Sequence, residues 1–104
     1  MGLTNMEKTA AEITDEEKQE VENLAALFFT PSEIGIMLEL NADDVRGAMY
    51  DEQSAFYRAF YTGRLQSEAD LRKSIMKLAK SGSSPAQTMS LDLLNKSKAK
   101  MLDR

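Results

Sequence analysis

The stretch "NADDVRGAMY", from Asn41 to Tyr50, carries side chains of the types that read nucleic-acid bases. Arginine pairs bidentately with guanine, asparagine with adenine, and a carboxylate accepts from the cytosine amino group. Asn41, Asp43, Asp44, Arg46 and Tyr50 are the exposed candidates if this stretch is a helix laid in a groove. The charges oppose that use. Duplex affinity comes from lysines and arginines that neutralise phosphates. Between Thr30 and Tyr50 there is one basic residue, Arg46, among Glu33, Glu39, Asp43 and Asp44. The aspartates have a second explanation: carboxylates in a first helical turn complement the helix dipole by roughly 0.3–1 kcal/mol each.

Other chemistries have little to work with. The chain has no histidine and no cysteine, so the commonest general base and the commonest metal ligands are missing, along with disulfides. Glu16-Glu17, Asp43-Asp44 and Asp51-Glu52 lack the spacing of a calcium loop, and most sit near helix starts. Ser83 and Ser84 read as turn and cap residues, and no glycine-rich phosphate loop occurs. The sequence therefore predicts no catalytic residue, no metal site and no cofactor.

The positioning elements are all helical. "TDEE" at Thr14–Glu17 is a capping box that opens a first helix, with Val21, Leu24, Ala25 and Phe28 as its buried face. Pro31 disfavours helical geometry at Thr30, so this helix stops near Phe29. Thr30 then caps a second helix, with Pro31 at its first position, Glu33 at N3 and Ile34, Met37 and Leu38 as its stripe. Asn41 caps a third helix whose inward face is Val45, Ala48 and Met49. Gly35 falls where two crossing helices leave room only for a small side chain. From Thr30 to Met49 the apolar pattern is that of a helix-turn-helix. Glu39 stands in the turn where many such motifs carry a glycine in a left-handed conformation.

A long helix should start between Asp51 and Ser54 and run to about Lys80. Phe56, Phe60, Gly63, Ser67, Leu71, Ile75 and Leu78 form one stripe, with Tyr57, Tyr61 and Leu65 beside it. Gly63 predicts a kink or a close helix contact, and Gly82 a left-handed cap. A short last helix should open with a capping box at Ser84–Gln87, use Leu91 and Leu94 as anchors, and fray through "NKSKAKMLDR". No period-two run or hairpin turn is present. The expected fold is all-α: a helix-turn-helix bundle over 14–50, then a long helix and a short C-terminal helix over 51–104, with 1–13 as a flexible arm.

The 104 residues suit one domain able to bury a core, and 42% hydrophobic with 29% charged content fits a soluble protein. The longest apolar run, "LAALFF", is too short for a membrane, and the N-terminus has no signal core, so a cytoplasmic protein is expected. Net charge is −4, but residues 1–52 carry −10 and residues 53–104 carry +6. The basic half offers Arg64, Arg72, Lys73 and Lys77 as phosphate contacts. The same polarity fits head-to-tail contacts between subunits, or solubility alone. Phe56, Tyr57, Phe60, Tyr61 and Leu65 put aromatic and apolar groups on two adjacent faces of one helix. One face is easily covered within a small chain, and the second points to an interface between copies.

"YTGRLQSEADLRKSIMKLAKSGSSPAQTMSLDLL", Tyr61 to Leu94, resembles phage terminase small subunits and related prophage DNA-packaging proteins. The resemblance rests on a helix-turn-helix, then Gly63-Arg64, Leu71-Arg72, Leu78-Ala79 and Gly82 along a long helix and its break, then Met89, Leu91 and Leu94. Relatives often have an aromatic and a glycine where this chain has "MSLDLLNK". The resemblance implies a non-enzymatic adaptor in the bacterial host cell. It would recognise double-stranded DNA, form a homo-oligomer and present DNA to the large terminase subunit. A small dimeric transcription regulator, or an interaction module that has lost DNA contact, would use the same motif.

Overall fold

The computed structural model describes residues 13–102, and 80% of these lie in five helices with no strand among them. They are α1 (Asp15–Ala26), α2 (Pro31–Met37), α3 (Ala42–Met49), α4 (Ala55–Lys80) and α5 (Ser84–Leu102). The fold is all-α, as the sequence predicts. Two units divide the chain, and the division falls inside α4: the first ends at Ser67 and the second begins at Glu68.

In the first unit each helix starts on the side chain the sequence marks for it. The Thr14 hydroxyl accepts from the Glu17 amide at 3.1 Å, and the Glu17 carboxylate accepts from the Thr14 amide at 2.8 Å. Thr30 and Glu33 repeat the box on α2 at 3.2 and 2.9 Å. Such caps stabilise a helix by about 1 kcal/mol each. Ser54 opens α4: its hydroxyl accepts from the Tyr57 amide and donates to the Ala48 carbonyl, both at 3.0 Å. This buried hydroxyl fastens the end of α3 to the start of α4.

Two helix ends are less obvious. α1 stops at Ala26, earlier than expected, because Phe28 takes the left-handed conformation at φ +71. The Phe28 amide donates to Ala25 and the Phe29 amide to Leu24, closing the helix with the paired bonds of a Schellman end. Phe28 is therefore turned off the buried face expected of it and is exposed. Glu39, at φ +57, closes α2 in the same way, with its amide on Ile36 and that of Leu40 on Gly35. Leu40 is thereby sent into the core, while Met37 is left outside.

The core joins Ile13, Val21, Ala25, Ile34, Leu40 and Val45 to Phe56, Ala59 and Phe60 of α4. Ile13 is buried, which corrects its assignment to the arm; residues 1–12 lie outside the described residues. Phe56 and Phe60 are closed off by the chain itself, so neither is available to a partner as expected; only Tyr61 and Leu65 of that group are exposed, with Tyr57 half-buried. Gly63 makes the close helix contact. A Cβ there would run into the Glu22 backbone, 2.8 Å from its Cα, so α4 and α1 approach main chain to main chain.

The second unit holds the rest of α4 and α5. Gly82, at φ +101, ends α4 with its amide on Ala79 and the Ser83 amide on Leu78. The cap of α5 is Ser83, whose hydroxyl accepts from the Ala86 amide at 3.3 Å. That moves the expected cap back by one residue, and Gln87 donates instead to the Ala79 carbonyl of α4 at 3.0 Å. α5 is 19 residues long and stays helical to Leu102, so it is neither short nor frayed through "NKSKAKML". Ala86 is the buried hydrophobic residue here, whereas Leu71, Leu78, Met89, Leu91, Leu94 and Met101 are exposed.

Candidate nucleic-acid interface

α2, its turn and α3 form the helix-turn-helix. At the crossing, a Cβ on Gly35 would lie 2.9 Å from Val45 Cγ2, closer than such atoms approach. Only glycine lets the two helices meet there. Glu39 supplies the left-handed turn without glycine, and Asn41 starts α3 by accepting from the Asp44 amide at 3.1 Å. The Asn41 side-chain oxygen is thus committed to the cap, which leaves its amide group for any other partner.

α3 buries Val45 and Ala48 and exposes Asp43, Arg46 and Tyr50. The structure therefore brings Asn41, Asp43, Arg46 and Tyr50 together at the start and outer side of one helix. Arg46 is not a free cation: its guanidinium sits 2.8 Å from the Asp43 carboxylate one turn back. A solvent-exposed pair of this kind contributes about 0.2–1 kcal/mol, so a base edge or phosphate can displace it at small cost.

Arg64 does something other than the phosphate contact expected of it. Its guanidinium lies 5.3 Å from the Phe28 ring centre and 5.2 Å from that of Phe60, and Nη2 donates to the Phe29 carbonyl at 3.4 Å. Its Nε is buried. Arg64 is a bracket between α4 and the end of α1, held by its stem and by attraction to two ring faces. Arg72 belongs to the second unit and lies 3.6 Å from Glu68. Lys73 and Lys77 are exposed on the same stretch of α4.

Sequence reasoning missed a groove beside the recognition helix. It has a volume of about 510 Å³ and is lined mainly by apolar groups, among them Pro31, Ile36, Met49, Tyr50 and Tyr61. Ile36 is 75% exposed and Tyr50 88% exposed, unusual for residues of their size. Ile36 was the available signal, since it lies off the buried stripe of α2 yet is apolar. Tyr61 packs against Tyr57 with ring centres 4.7 Å apart. Desolvation pushes the Tyr57 phenol above its ordinary range, with Glu52 and Tyr61 acting in the same direction and Arg58 opposing.

Among the described residues no group of three or more acidic, histidine or cysteine side chains is arranged to hold a metal ion. No described helix is long and apolar enough to cross a membrane. Compared with protein-family models, curated proteins and solved structures, the chain matches none.

Proposed function

We propose that this chain is a non-enzymatic, self-associating adaptor that recognises double-stranded DNA through α3 and delivers it to a partner, as the resemblance to phage terminase small subunits implies, with the large terminase subunit as that partner. The observation that carries the reading is the Gly35–Val45 contact combined with the left-handed turn at Glu39. Together they hold α3 across α2 in the manner of a helix-turn-helix, with Arg46 and Tyr50 outward. The exposed apolar residues of the second unit support self-association, because a helical hairpin with Ala86 as its buried hydrophobe has apolar surface left for a second copy.

The test compares Arg46→Ala with Arg64→Ala in titrations of fluorescent duplex DNA. Arg46→Ala should weaken binding several-fold. Arg64→Ala should change stability more than affinity. Equal binding by wild type and Arg46→Ala would remove α3 from the interface.

One observation favours a second reading. The single cation of α3 is already paired with Asp43, and the groove beside it is apolar. Both suit a protein-binding helix-turn-helix that has no contact with DNA.

A further inference from the structure

The groove beside α3 and the distal end of α5 are complementary. The groove is apolar along Ile36, Met49, Tyr50 and Tyr61. Its rim is acidic: Asp43 pairs with the lining residue Arg46, Glu33 follows the lining residue Ser32, and Asp51 follows the lining residue Tyr50. At the other end of the chain, Leu91, Leu94, Met101 and Leu102 are exposed on α5. At 3.6 residues per turn they fall on one face of roughly 100°. Lys98 interrupts that face midway, and Lys96 and Lys100 lie beside it, with no acidic residue from Leu93 to Leu102. A lysine inside an apolar stripe calls for a carboxylate on the surface that covers the stripe, and the groove rim carries one in Asp43.

We infer that the groove of one copy receives the distal end of α5 of a second copy, so that self-association is head-to-tail. Apolar area on both sides drives the contact, and the lysines against the acidic rim set its direction. The inference deepens the self-association in the proposed function and rests on that part of it. It also adds regulation. The groove shares Arg46 and Tyr50 with the outward side of α3, so a docked copy covers the residues that would meet DNA. Duplex DNA, a polyanion, competes both for Arg46 and for the α5 lysines. The head-to-tail assembly is the DNA-free state.

A head-to-tail contact uses two different surfaces, so two broken copies can repair each other. Full-length wild type, Ile36→Glu, Leu94→Glu and an equimolar mixture of the two variants are weighed by light scattering without DNA. Ile36 and Leu94 are both exposed, and circular dichroism checks that each variant is folded. Tyr50→Glu with Met101→Glu is the second pair should either fail to fold. Wild type should be an oligomer, each variant alone a monomer, and the mixture a one-to-one dimer. A variant that keeps the wild-type mass, or a mixture that stays monomeric, overturns the head-to-tail contact while self-association stands. A wild type that is monomeric at tens of micromolar overturns both.

Discussion

Gly35 and Val45 meet at the crossing of α2 and α3 with no space for a methyl group between them. The crossing sets where α3 lies, and α3 carries Arg46 and Tyr50 outward. The candidate interface therefore depends on a glycine that never touches a ligand.

Gly35→Ala should destabilise the fold by about 1–3 kcal/mol, the range for overpacking, since Val45 must shift to admit the methyl. Gly63→Ala should cost more, because the obstacle there is the Glu22 backbone rather than a side chain. Urea unfolding of both variants checks the order. A neutral Gly63→Ala would mean that α4 and α1 do not touch as described.

At Glu39 the expected signs are opposite for two substitutions. Its φ of +57 costs a side-chain-bearing residue about 1–2 kcal/mol, which glycine avoids, less glycine's greater freedom when unfolded. Glu39→Gly should raise stability by up to about 1 kcal/mol, and Glu39→Val should lower it. Thermal melts of the pair would expose a wrong turn assignment if valine were tolerated.

Thr30→Ala removes the hydroxyl that caps α2 and should cost about 1 kcal/mol. Thr30→Ser keeps an equivalent oxygen and should recover most of the loss. A serine variant as unstable as the alanine one would assign the effect to packing of the threonine methyl.

Arg64→Ala should lose about 1–2 kcal/mol, since it removes a partly buried stem and two ring contacts. Arg64→Lys should recover little of this, because an ammonium lacks the flat face that lies between Phe28 and Phe60. Full recovery by lysine would show that charge alone matters at this position.

Leu94→Glu should tighten duplex binding roughly two- to tenfold if docked α5 hides part of the protein population from DNA. Anisotropy titrations well above and well below the concentration of self-association would show the gain only in the concentrated sample. An unchanged affinity at both concentrations would separate assembly from DNA access.

The helix starts at Thr14, Thr30 and Asn41 were legible in the sequence because a cap is a bond across three residues. The last start was misplaced by one residue because Ser83 and Ser84 offer the same hydroxyl in succession. The left-handed ends at Phe28 and Glu39 were harder to read. Neither is a glycine, and what makes each worthwhile is the tertiary placement of the next residue, Phe29 or Leu40, against the core. Periodicity marked the Phe56–Phe60 stripe but did not say what covers it; the first unit's own helices do. Arg64 was taken as a phosphate contact because a charge count treats every arginine as a surface cation. Its partners Phe28 and Phe29 are distant in sequence and come near only after α4 settles on α1 at Gly63. The groove escaped notice for the same reason, since α2, α3 and α4 all contribute to it.

The most direct test of the central claim is the affinity of wild-type protein for duplex DNA at about 50 and 200 mM salt. Each phosphate contact should add close to 0.9 to the slope of log affinity against log salt. Binding that weakens with salt, and a slope that falls by about one in Arg46→Ala if Arg46 meets a phosphate, is the predicted result. No binding at either salt would contradict the account and leave α3 a protein-facing helix.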